Sequence, residues 1–430
     1  MTKVRRLKRG LYTVTALTLG FGPFVTASGE TPGQALALDN LRGVCGQNTS
    51  EDPSLAIACS LVGGVNDITA QNLSPQAAIQ AESIAITSPY QFIRSTNESM
   101  QRLTGRSAEK RQQQSSFLLQ SSASVAGTPS FGTSGFIGPV GVSLSGGGSF
   151  GERDNAQGQT GFQLNTRQTN LVIDYSFNQK LIGGFSFNYL GTDRNLRLAS
   201  GDLNSDSYRF APFVLFRPTT NSYLTLMGGY ALVNYRSTRS VSSQNGITFD
   251  NATANYDANQ FFASVGGGYT FTLMDGWNLR GYGRGDFSDI SIQSFQEKGG
   301  VAHNGNDSLS LAMSVNKQTI RSVTSTLGVE LSHAISTRTF IPVIIPRLRA
   351  EWVHEFENNA RTITAGFTGQ NYSPTSASMA VASSVRNWAN LGVGVQMLFA
   401  RSIIGYINYD RLIIKHAENN IISGGIRMNF

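Results

Sequence analysis

The chain has 430 residues, of which only 14% are charged, with 46 glycines, 14 tyrosines and 25 phenylalanines. Low charge with abundant Gly and aromatics argues against a cytosolic helical enzyme and suits strands with one face in lipid and the other in a crowded polar lumen. The net charge is +7, but Lys3, Arg5, Arg6, Lys8 and Arg9 crowd the start; no compact basic patch is left, so no nucleic-acid partner is expected.

Residues 1–27 read as a signal peptide. An apolar stretch from Leu11 to Val25 follows the basic start, and Val25-Thr26-Ala27 supplies the small residues of a cleavage site. The cut is expected between Ala27 and Ser28. The stretch is too short and too rich in Gly and Thr for a membrane helix, and no later segment is a long uninterrupted apolar run.

Residues 28–69 are rich in Ser, Thr, Asn and Gly and read as a short exported segment. They hold the only two cysteines, Cys45 and Cys59, with 13 residues between them. An oxidising compartment predicts a disulfide here, worth about 3 kcal/mol in the loop-entropy account. The alternative is two unpaired thiols on a helix face. No histidine lies near either cysteine, which disfavours a metal site.

Residues 70–120 read as helical. Ser74 can cap free N–H groups and Pro75 suits a first helical position. Residues 76–86 are Ala-rich, and Pro89 interrupts them. A second helix is expected over about 90–114. It is polar almost throughout, so it is read as lacking an apolar face. It belongs either in a water-filled pore, as a plug, or in an exposed linker. Residues 121–139 are a Ser/Gly-rich connection.

From Val140 to Phe430 the period becomes two. Ile173, Tyr175 and Phe177 alternate with Asp174 and Ser176, and Phe185 and Phe187 with Ser186 and Asn188. Phe210, Pro212, Val214 and Phe216 continue the pattern, although Phe213 and Leu215 blur it. Later sets include Leu224, Leu226, Tyr230 and Leu232, then Leu327, Val329 and Leu331, then Leu391, Val393, Val395 and Met397. In the final stretch Ile422, Gly424, Ile426, Met428 and Phe430 share one face, while Ser423, Gly425, Arg427 and Asn429 share the other. A two-faced strand stopping on an aromatic is the closing strand expected of an outer-membrane barrel. The pattern predicts an all-β transmembrane barrel of about twelve antiparallel strands, with an N-terminal α-helical plug segment. A soluble sandwich would not need so many long two-faced strands, nor repeated Arg and Glu on its inner face. A closed barrel satisfies its backbone without an edge.

Several segments resemble the barrel domain of the autotransporter family, the type V secretion translocators. They are RLRAEWVHEFENNARTITAGFTG at 347–369, QTIRSVTSTLGVELSHAI at 318–335, LVIDYSFNQKLIGGFSFNY at 171–189, WNLRGYGRGDFS at 277–288 and the tail SGGIRMNF. The likeness covers residues 140–430. It implies a twelve-stranded, monomeric barrel in the bacterial outer membrane with a helix through its pore. It also implies escort by periplasmic chaperones, insertion by the β-barrel assembly machinery with Ile422, Ile426, Met428 and Phe430 as the assembly signal, and export of an attached passenger. The usual passenger is hundreds of residues long, whereas about 40–50 residues separate the cleavage site from the helix here, without visible repeats. The alternative reading is a degenerate barrel acting as a passive pore or structural protein.

No catalytic constellation stands out. The four histidines are His303, His333, His354 and His416. His354 and His333 share parity with outward residues, His303 falls in an Asn/Gly-rich loop and His416 at a turn. The chain is read as lacking a G-x-S-x-G elbow and an H-E-x-x-H zinc motif. Gly146-Gly147-Gly148 is not followed by the lysine of a phosphate loop. The expectation is no enzyme and no cofactor or metal. The candidate functional residues are inward-facing lumen charges: Arg280, Arg284 and Asp286, and Arg347, Arg349, Glu351 and Glu355. They would hold a polar helix by ion pairs, or line the pore if the helix leaves.

Overall fold

Strands with one apolar and one polar face satisfy their backbones only by pairing edge to edge, and a ring of such strands leaves no open edge. The computed structural model describes residues 91–97, 139–154, 161–196, 201–240, 250–273, 276–301, 312–337, 339, 341, 343–357, 361–368, 377–381, 385–399, 403–414 and 417–430. Twelve long strands form the wall: β1 (Val140–Arg153), β2 (Phe162–Ser176), β3 (Leu181–Leu196), β4 (Gly201–Phe216), β5 (Ser222–Arg239) and β6 (Ala252–Thr272), then β7 (Trp277–Ile292), β8 (Gln318–His333), β9 (Val343–Glu355), β10 (Asn387–Leu398), β11 (Ile403–Ile414) and β12 (Ala417–Asn429). Each pairs antiparallel with the next.

The ring closes through β1 and β12, in register from Gly141 opposite Asn429 to Arg153 opposite Ala417. The last residue completes the ladder: Phe430 N donates to Val140 O at 2.9 Å and Val140 N donates to Phe430 O at 3.3 Å. One end of the barrel carries tight turns. Asn178 Oδ1 accepts from the N–H groups of Lys180 and Leu181 between β2 and β3, and Gly276, at φ 83°, makes the turn into β7. Longer segments join β5 to β6, β7 to β8 and β9 to β10 at the opposite end.

The outward face is apolar. Leu226, Val265, Leu348 and Ile407 are exposed, as are Ile422, Ile426, Met428 and Phe430 on β12. Trp277 stacks on His333 at the short-turn end with centroids 4.5 Å apart. Towards the long-loop end the outward residues become polar: Arg167 pairs with Asp193 at 3.3 Å, and Arg236 with Asp206 at 2.5 Å. β6 has 21 residues, about twice what a bilayer requires, and its outward Asn255 and Asp257 stand beyond the apolar band.

The inward face is two-sided, where sequence reading expected a polar one. Phe213 and Leu215, which blurred the alternation, point inward and are 2% and 0% exposed. With Met227, Tyr235, Phe262 and Ile290 they form an apolar flank on β4 to β7. β7 to β11 supply the opposite flank, where Arg and Glu predominate. Helix α1 (residues 91–97) lies between them. A second, four-stranded sheet stands at the long-loop end, in the order Ala377–Val381, Arg361–Phe367, Met313–Val315 and Phe295–Gln296.

Candidate functional site in the lumen

Arg94 of α1 reaches the charged flank. Its Nη2 lies 2.5 Å from Asp410 Oδ2 on β11, and its Nε 3.8 Å from Glu351 Oε2 on β9. Each carboxylate has further partners. Asp410 Oδ1 accepts from Arg349 Nη2 at 2.5 Å. Glu351 accepts from Tyr282 Oη at 2.6 Å and from Asn390 Nδ2 at 2.5 Å. Charges this buried are tolerated only when every one is paired and hydrogen-bonded. A glycine makes the room: a Cβ at Gly392 would fall 2.1 Å from Asp410 Oδ1 and 3.2 Å from Arg349 Nη2.

The other side of α1 is apolar, which corrects the expectation of a helix without an apolar face. Phe92 and Ile93 are fully buried and join the apolar flank. Phe92 meets Phe262 edge to face, with centroids 5.3 Å apart. Thr96 Oγ1 lies 3.1 Å from Ser186 Oγ on β3, and Ser186 donates on to Asn170 at 2.9 Å. Residues 98–114 of the expected helix lie outside the described residues.

The seven candidate lumen charges all face inward but divide into separate groups. Glu351 touches α1, and Arg349 shares Asp410 with it. Arg280 and Arg347 converge on Glu330, at 2.7 and 4.0 Å. Arg284 pairs with Asp286 at 2.8 Å. Glu355 belongs to none of these; it accepts from Ser322 Oγ at 2.5 Å and Val323 N at 2.8 Å near the long-loop end of β8. Asp410 and Arg94 were not singled out in the sequence. Asp410 had the right parity on β11, but nothing in one strand shows which carboxylate a helix will meet.

His354 bonds to Asn387 Oδ1 at 2.8 Å and sits edge-on to Phe356. Gly147-Gly148-Ser149-Phe150-Gly151 does spell G-x-S-x-G, contrary to the sequence reading. It lies within β1, not at a strand-to-helix turn, and Ser149 Oγ is 2.7 Å from Thr166 Oγ1, so it forms no nucleophile elbow. Among the described residues, no three His, Cys, Asp or Glu side chains gather as metal donors. Ala27, Ser28, Cys45, Cys59, His303 and His416 lie outside the described residues.

A closed antiparallel barrel with a helix inside invites comparison with known barrels. The family described as the autotransporter beta-domain matches residues 142–410. The chain belongs to the autotransporter β-domain family. Among solved structures, this autotransporter barrel is similar to the translocator domain of NalP from Neisseria meningitidis, at 14% identity and a TM-score of 0.53, covering 75% of this chain and 97% of that one. It is also similar to the β-domain of Bordetella BrkA, at 14% identity and a TM-score of 0.47, covering 67% and 99%. No curated protein matches the chain by sequence. The fold is that of an outer-membrane translocator barrel, and the outward apolar band is the surface that lipid covers.

Proposed function

We propose that this autotransporter barrel carries its own N-terminal segment through the lumen to the cell surface and retains α1 as the plug. The observation behind this reading is the seating of α1. Arg94 is held by two carboxylates on two wall strands, and Phe92 and Ile93 lie on the opposite flank. The direction of α1 fits as well. Phe92 meets Phe262, well inside β6, whereas Thr96 meets Ser186, near the short-turn start of β3. The N-terminal end of α1 therefore points towards the long-loop end, which faces outward in a barrel whose termini are periplasmic. Val140 and Phe430 meet at the short-turn end, as that orientation requires. The periplasmic chaperones and the β-barrel assembly machinery are the partners this reading requires. Their contact would be the outward row Ile422, Ile426, Met428 and Phe430.

An epitope placed at Asn48 tests the proposal. Antibody added to intact cells should bind it without permeabilisation. Binding only after the outer membrane is opened would reject export and leave a pore or structural barrel.

A further inference from the structure

The small sheet at the long-loop end is built with buried groups, among them Phe295, Val315 and Ile363. We propose that it is a lid closing the surface-facing mouth of the lumen, and that the Arg239–Glu297 pair is its latch. This inference does not depend on export of the N-terminal segment.

Three observations carry it. First, the sheet joins segments from several wall strands at the mouth. Its strands come from two segments, β7 to β8 and β9 to β10, and join where Met313–Val315 pairs with 365–367. The same structure reaches β6, because Lys298 and Gly299 pair with Thr253 and Ala252. Gly299 permits this at φ 90°, where a Cβ would strike Asn251 O at 2.4 Å. Second, its underside is apolar and continuous with the lumen. Phe295, Val315, Ile363 and Ala365 belong to the same buried cluster as Ile292 and Ile320 of the wall. Phe295 stacks on Tyr256 at 3.9 Å, and Tyr256 on Tyr235 at 5.1 Å. Third, one carboxylate ties the wall to two stretches of the β7-to-β8 segment. Glu297 takes Arg239 Nη2 at 2.5 Å and Nε at 3.2 Å, and Met313 N at 3.0 Å; both side chains of the ion pair are 5% exposed.

A buried pair of this kind favours an all-or-none lid. With the lid seated, each charge compensates the other; with it partly lifted, the two would be parted in an apolar setting. The lid underside and α1 share one apolar cluster, which holds Phe92 and Ile93 as well as Phe295 and Ile363, so the closed mouth lies over the same apolar flank that seats the helix.

The test reads access from outside in the full-length chain. Ser237, the inward position before Arg239 on β5, is 5% exposed. A Ser237→Cys substitution gives a thiol beneath the lid. Intact cells are treated with a membrane-impermeant maleimide, and modification of position 237 is followed by peptide mass spectrometry, which separates it from Cys45 and Cys59. Heat-modifiable gel migration identifies folded barrel. Labelling should be slow in the Ser237→Cys chain and about tenfold faster or more once Glu297→Ala removes the latch. Phe295→Ala, which changes only a lid side chain, should accelerate it in the same direction and serves if Glu297→Ala does not fold. Rapid labelling before either change, or an unaltered rate in a folded variant, would overturn the lid.

Discussion

The closing seam of the barrel rests on an ion pair that passes over a glycine. Arg427 of β12 reaches across β1 to Asp174 of β2, with Nη1–Oδ2 at 2.7 Å and Nη2–Oδ1 at 2.8 Å. The two side chains are 3% and 1% exposed. Gly141 of β1 lies directly beneath. A Cβ there would stand 1.9 Å from Arg427 Nη2 and 2.7 Å from both Arg427 Cζ and Asp174 Oδ1. The substitution Gly141→Ala therefore has to displace the pair. Separating a buried pair costs about 3–5 kcal/mol. Replacing a strand glycine with alanine returns roughly 0.5–1 kcal/mol of backbone entropy. The net expectation is a loss of about 2–4 kcal/mol. Asp174→Ala should lose about 3–5 kcal/mol, because Arg427 is left buried without its carboxylate. Combining Asp174→Ala with Arg427→Met should recover most of that loss, since no charge remains uncompensated. Urea unfolding in detergent micelles, followed by tryptophan fluorescence and by heat-modifiable migration, would measure all three. If Gly141→Ala unfolds at the same urea concentration as the parent, or the double variant is as unstable as Asp174→Ala, the clasp is not what holds the seam.

Two other predictions concern the ends of the chain. Deleting Phe430 removes one rung of the β1–β12 ladder and one exposed aromatic, yet should sharply lower the yield of folded barrel in cells if the assembly machinery reads the terminal row; an undiminished yield of heat-modifiable protein would count against that. Cys45 and Cys59 should appear as one crosslinked peptide in mass spectra of protein purified without reductant, and two free thiols would defeat the disulfide.

The wall was legible in the sequence because the strand period is rigid. One apolar face recurring every second residue assigned Leu226, Leu327, Val393 and Ile426 to the outside, and the structure places them there. The count of twelve followed from the same rhythm. Legibility failed where both faces were apolar. Phe213 and Leu215 looked like noise, since alternation cannot distinguish an inward Phe from an outward one; their reason is the apolar flank, assembled from four strands. The helix was misread for a related cause. Two apolar residues in a polar run look negligible, but a single turn of α1 needs only Phe92 and Ile93 to make a buried face. The small sheet was missed because strands of two and three residues, such as Phe295–Gln296 and Met313–Val315, are too short to display a period. Asp410 has the parity of an inward residue on β11, but its pairing with Arg94 joins residues far apart in the chain.

The two-sided lumen has a consequence for any helix passing through it. Each step of one residue turns a helix by about 100°. Half a turn from the observed seating would press the Arg94 guanidinium towards the Phe262 ring and present Phe92 to Asp410 and Glu351. A uniformly polar channel would accept every rotation equally. This one discriminates by angle, so a polypeptide sliding along it meets a keyed socket and comes to rest only where an apolar pair and a cation lie on opposite sides of the same turn.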